Sequence, residues 1–260
     1  GKCPALGVEI PARGPLFDAI DEAMRGIVRE HGARERRIHE VYCLVVTVLL
    51  PAAYVAHMWA PNWWNTLSLA FLFMTYFLNI FHMRHHRGGR TYKNETLHRL
   101  TNPFYDVLDN TFGIHIEAWL LSHNARHHVH TNHDEHDPDV KITADLLRML
   151  PSRQRKWFHK YQSGYCVALF SLAVCIYPWA NAFLKTPRGD RKWLALWCTL
   201  CVAVPAALNG ATGLAWVACM YTLASVVVAY LFTVSHNNDG IVKSHGTNET
   251  PQHIDEWLEH

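Results

Sequence analysis

Apolar runs long enough to cross a bilayer constrain this chain more than any other feature. Val41–Trp59 and Asn62–Phe81 each hold about twenty mostly apolar residues. A helix rising 1.5 Å per residue needs about that many to cover a ~30 Å hydrocarbon core. Ala60 and Pro61 leave only a short turn between the two runs, and Pro51 stands inside the first as a potential kink. Trp59, Trp63 and Trp64 gather at that turn, as tryptophans do at a membrane interface. Later come Ser163–Phe183, Trp193–Leu208 and Gly213–Val234.

Charge decides which of the later runs cross. Arg84, Arg87, Arg90, Lys93 and Arg99 follow the second span, so by the positive-inside rule its end faces the cytoplasm. Lys141, Arg148, Arg153, Arg155, Lys156 and Lys160 precede the run at 163, and Lys185, Arg188, Arg191 and Lys192 follow it. Both of its ends are therefore cytoplasmic, which makes Ser163–Phe183 an interfacial or re-entrant segment. Asn209–Thr212 carries no charge and reads as an outer connection. The chain is thus predicted to be an all-α integral membrane protein. It has four transmembrane helices, at about 41–59, 62–81, 193–208 and 213–234, and both termini in the cytosol. The mean hydropathy of only −0.06 fits spans that alternate with polar surface parts.

Residues 1–40 form a separate N-terminal cytosolic segment. Its first fourteen residues are loop-like. Pro15–His39 then places Leu16, Phe17, Ile20, Met24, Ile27 and Val28 at helical spacing, with arginines toward its end. Such a helix lies on an anionic membrane face or packs on its own domain. Asn102–Leu121 is semi-apolar but carries Asp106, Asp109 and Glu117, which suits an interfacial helix better than a span. A net charge of +2 and the absence of nucleic-acid-binding motifs leave no case for a nucleic-acid partner. Cys198 and Cys201 form a lone C-x-x-C inside an apolar run and read as packing residues.

The chemistry lies in histidines at the span ends. Ser122–Asp139 has six histidines in eighteen residues: His123, His127, His128, His130, His133 and His136. On an α-helix His123 and His127 share a face and can close on one metal ion, while His128 lies about 100° round and can serve a second. His82-Met-Arg-His85-His86 stands 37 residues upstream and repeats the i,i+4 pair as His82 and His86. Imidazole suits iron, copper, zinc and nickel, so the ligands alone do not choose the metal. Asp134, Glu135, Asp137 and Asp139 either orient imidazoles by accepting their second N–H or form a solvated acidic loop.

HMRHH followed by HNARHH resembles the first two boxes of the integral-membrane fatty acid desaturases, H-x3-4-H and H-x2-3-H-H. His130-Thr131-Asn132 and Asp137-Pro138-Asp139 continue the likeness, which is closest to the acyl-chain branch that includes the front-end desaturases. It covers about Val41 to the C-terminus, a membrane desaturase domain over 41–260 with a cytosolic helical cap that carries the boxes. The resemblance implies two iron ions as a di-iron centre, O2 as co-substrate, and electrons from cytochrome b5 or ferredoxin. It also implies a long-chain acyl-CoA or acyl-lipid substrate and an ER or bacterial inner membrane. The implied metal ligands are His82, His86, His123, His127, His128 and His236, with His85 a weaker candidate. His236 enters because the family often uses a polar residue at the end of its fourth span; Asn237 or Asn238 would then hold a metal-bound water.

The family also has a third box, and His245, His253 and His260 are each isolated. The expectation is that the gene continues past His260 with an H-x-x-H-H-type box and that this stretch alone is inactive. A hydroxylase or ketolase of the same superfamily uses similar boxes. A metal transporter would set ionisable ligands inside its spans, and these spans hold only His57, near an outer end.

Overall fold

The computed structural model describes residues 2–3, 8–9, 15–111, 116–131, 136–138, 146–148, 154–172 and 191–236. The chain divides into two compact units, 1–45 and 46–260. In the first unit, Lys2–Cys3 and Val8–Glu9 form a two-residue antiparallel pair, with Lys2 opposite Glu9. The sequence reading had only loop in this stretch.

Helix α1, Pro15–Trp59, runs for 45 residues without a break. The sequence divides it into an amphipathic helix and a span, but nothing between His39 and Val41 stops a helix. In the first unit it exposes Ile20, Met24, Ile27 and Val28, and Arg25 pairs with Asp21 one turn back. The helix also continues through Pro51, whose missing N–H leaves the Thr47 carbonyl without its intrahelical donor.

The second unit is built on helix packing. α1 ends at Trp59, and Asn62 caps α2 (Trp63–Thr75) by accepting from the Asn65 N–H. The Asn65 amide in turn donates to the Ala60 carbonyl, which closes the short turn. Trp59 and Trp64 are largely exposed at this end. α2 passes through a π-helical stretch, Tyr76–Phe81, directly into α3, His82–His86. The second apolar helix is therefore continuous from Trp63 to His86, and the first histidine box forms its last turns rather than a loop beyond it.

α4 (Glu95–Thr111) is amphipathic: Tyr105 and Asp109 are fully buried, whereas Leu100 and Phe104 are exposed. It is followed by α5, Ile116–Ser122, and a second π-helical turn, His123–His127. The described part of the predicted interfacial helix over 102–121 is helical, and residues 112–115 lie outside the described residues. A 3-10 turn, Trp157–Tyr161, precedes α6, 162–172; the remainder of the run to 183 lies outside the described residues.

α7 (Arg191–Cys198), a third π-helical stretch (Thr199–Ala203) and α8 (Val204–His236) follow one another without a coil. Three helices among the described residues are long and apolar enough to cross a membrane: Arg34–Trp59, Trp63–His86 and Arg191–Thr233. The third of these, Arg191–Thr233, contains both of the last two predicted spans. Gly210 stands between them, with φ 58° and ψ −144° inside α8. Only glycine takes that conformation without strain. A Cβ on Gly213 would stand 2.3 Å from the Pro205 carbonyl oxygen, so the close approach after the turn also requires glycine.

Contacts show that the chain folds back at Gly210. The Trp197 indole donates to the Tyr221 hydroxyl at 3.1 Å, which joins the two sides of the turn. The turn sits level with the end of α1, where the Asn209 amide donates to the Met58 carbonyl. Beyond it α8 runs alongside α2: Trp63 meets Trp216, Phe73 meets Tyr221, and His82 meets Phe232. α4 packs on α7.

Candidate metal centre

His82 and His86 stand one turn apart on α3, on the face that the i,i+4 spacing predicts. The second box follows a different rule. His123–His127 is π-helical, and the His128 N–H donates to the His123 carbonyl five residues back. A π turn brings i and i+5 together rather than i and i+4. His123 and His128 therefore share a face, with their Nε2 atoms 3.2 Å apart. Among the described residues, the group whose ligand atoms lie together pairs His123 with His128 and does not include His127.

The four imidazoles close into a ring. Nε2 of His82 lies 2.8 Å from that of His123 and 3.2 Å from that of His86. Nε2 of His128 lies 3.1 Å from that of His86 and closes the ring. All four ligand atoms fall within 4.8 Å of one another. A ring of nitrogens about 3 Å apart leaves its centre roughly 2 Å from each, the length of a metal–imidazole bond. The residues present thus fit a metal ion, and the all-imidazole set suits iron among the transition metals.

Burial tunes this ring. His123 is 6 % exposed and stacks on Trp119, ring centroids 4.5 Å apart. Burial first, and then the charges that His82, His127, His128 and His86 would carry, push His123 down to about 2. It stays neutral at physiological pH, the form that binds a metal.

His127 is not one of the four grouped imidazoles, although its ring lies 5.1 Å from that of His123 and 5.2 Å from that of His128. Its Nδ1 donates to Asp137 at 3.0 Å, and both side chains are fully buried. Of the four acidic residues offered for orienting imidazoles, Asp137 is in contact with one. Asp134, Glu135 and Asp139 lie outside the described residues, as does His133. His130 and His136 are exposed, their rings 5.1 Å apart. His236 is the last residue of α8, and its side chain lies outside the described residues, as do Asn237, Asn238, His245, His253 and His260.

His85 points off the ring. Its Nε2 lies 3.2 Å from Asp109, off the axis of a good hydrogen bond, and its ring packs on Phe81 and Trp119. Asp109 also receives the Tyr76 hydroxyl at 2.7 Å and the Arg84 guanidinium. Arg84, the first of the basic residues that follow the second span, is 3 % exposed. The sequence reading missed Asp109, Arg84 and Trp119. One signal was available: Asn102, Asp106 and Asp109 recur at i, i+4 and i+7, a polar stripe on a semi-apolar helix.

The fatty acid desaturase family profile matches residues 61–260. Among curated relatives, the sn-1 linoleoyl-lipid 6-desaturase of Arthrospira platensis is 31 % identical over 116 residues, covering 44 % of this chain and 29 % of its own. The chloroplastic acyl-lipid (7-3)-desaturase of Chlamydomonas reinhardtii is 28 % identical over 161 residues, 53 % of this chain and 31 % of its own. The Delta(5) fatty acid desaturase A of Dictyostelium discoideum is 25 % identical over 158 residues, 56 % of this chain and 32 % of its own. The match thus spans just under a third of each relative's length. No solved structure matches the chain.

Proposed function

The chain belongs to the fatty acid desaturase family, and on that premise we propose that it carries the metal-binding part of a membrane acyl-lipid desaturase. The reaction is introduction of a double bond into a long acyl chain. The observation that carries this reading is the ring of His82, His86, His123 and His128 at the end of an apolar helix long enough to cross a membrane. The relatives are named for acyl-lipid substrates or fatty acids, and an acyl-lipid is the substrate proposed for this chain.

Iron with O2, when bound, supplies the oxidising power needed to take two hydrogens from an unactivated C–H pair, which no side chain supplies. The protein's part is to hold and orient. The four ring histidines would hold one iron. His127, fixed by Asp137, and His236 are assigned to a second. His85, held toward Asp109, supports the ring from behind. Trp119 covers one face of His123 and excludes water there. Cytochrome b5 or ferredoxin is the proposed electron donor.

The 43 residues of Arg191–Thr233 support a double crossing. At 1.5 Å per residue they would reach about 65 Å, twice a ~30 Å core, and Gly210 turns them near the middle. Four crossings of an ER or bacterial inner membrane would then put residues 1–40, the boxes and both termini in the cytosol. Asn94 and Asn248 each begin an N-x-T acceptor, and Asn94 caps α4 through the Leu97 N–H. Neither should be glycosylated in a eukaryotic host. An endoglycosidase-sensitive mass shift that disappears on Asn94→Gln would reverse the topology.

Fatty-acid profiling of yeast that expresses the whole gene tests the activity. A new double bond in the acyl pool is the expected result. A hydroxylated or keto product with no new alkene would move the protein to an oxygenating branch of the superfamily.

A further inference from the structure

The first histidine box has two faces. His82 and His86 look into the ring, and of the three residues between them Arg84 and His85 look the other way. Both meet one carboxylate, that of Asp109 on α4, which is fully buried. The Tyr76 hydroxyl, from the π-helical stretch before the box, binds the other oxygen of that carboxylate. Arg84 extends its second amino group to Asp106 and Asn102, one and two turns back along α4. A single buried group thus ties the π-helical stretch, α3 and α4 together directly behind the ligands.

Rotation of α3 about its axis decides where His82 and His86 point. The π-helical stretch loosens its coupling to α2, because an i+5 turn changes the angular register of everything after it. Something outside the helix must then fix the angle. A planar guanidinium held by a carboxylate does so more rigidly than apolar packing, since its bonds are directional. We propose that Asp109, acting through Arg84 and His85, is the positioning residue that sets the angle of the first histidine box and so the geometry of the metal ring. This rests on the metal-centre reading above and adds to it a residue outside either box.

The test uses metal alone. Protein purified in detergent is titrated with Co(II), whose visible bands report imidazole coordination, and loaded with Fe(II), counted per chain by mass spectrometry. If the wild type takes up neither metal, the metal-centre reading fails, and this inference with it. If the wild type binds, Asp109→Asn should weaken binding about tenfold and shift the Co(II) bands while the protein still elutes as a folded species. Arg84→Lys keeps the charge but loses the fork, and should fall between the two. Glu95→Gln removes an exposed partner of Arg90 and Arg99 and should change neither signal. Where Asp109→Asn does not fold, Arg84→Lys and Tyr76→Phe carry the test. Unchanged bands and affinity in every folded variant overturn the proposal, and so does loss of the fold in all three, because the role is then purely structural.

Discussion

Exchanging His123 for alanine is expected to remove bound iron and desaturation together. His123 shares the shortest distance in the ring, 2.8 Å to His82, and it also meets His128 at 3.2 Å. It is buried, stacked on Trp119, and bordered by four other imidazoles. Removing it opens the ring and leaves a void beside Trp119 that alanine does not fill. A substitution in the supporting shell of a metal typically costs 10–100-fold in affinity, and loss of a ligand costs at least as much. Iron per chain should therefore fall by more than about tenfold, and the new fatty acid should drop below detection. His130→Ala is the matched control within the same histidine-rich stretch. That side chain is exposed beside His136, so iron and product should stay within about twofold of wild type. Iron content in His123→Ala equal to that in His130→Ala would mean that the ring is not the metal site.

The two boxes show where sequence reading succeeds and where it stops. His82 and His86 are legible because α3 is an α-helix, so that spacing converts directly into a shared face. His123 and His128 are not, because the second box sits in a π turn. Nothing in HNARHH marks that turn. It is a tertiary adjustment that trades one backbone register for another, and it exchanges the partners of His127 and His128. The apolar runs were legible for the same reason as the first box: hydrophobic length survives whatever the neighbours do. The turn at Gly210 was legible as a gap in hydrophobicity, but its positive-φ backbone was not. Arg84 was read only as one of the basic residues that mark the cytoplasmic end of the second span. Only the fold reveals that Asp109, 25 residues away, takes it out of solvent. Burial of a charge depends on a partner, and a partner distant in sequence leaves no local trace.

Asp137→Asn should weaken metal binding through His127 without dismantling the ring. Asp137 is fully buried and accepts the Nδ1 proton of His127, itself fully buried. A carboxylate there does two things. It fixes the tautomer, so that Nε2 is the nitrogen left to bind, and it makes that nitrogen a stronger donor. Asparagine keeps an oxygen that can accept the same proton but carries no charge. Its amide can also rotate and present N–H instead, which would favour the opposite tautomer. Alanine leaves the imidazole buried with no acceptor, a loss of about 1–3 kcal/mol in stability on top of the metal effect. The expected order of iron affinity is wild type, then Asp137→Asn about tenfold weaker, then Asp137→Ala weaker again and lower in thermal stability. The ring should be affected less, because His82, His86, His123 and His128 reach one another without Asp137. Fe(II) titration should therefore resolve two classes of site in Asp137→Asn, one close to wild type and one weakened. A uniform loss across all bound iron would show that His127 belongs to the same ion as the ring, and would remove it from the second.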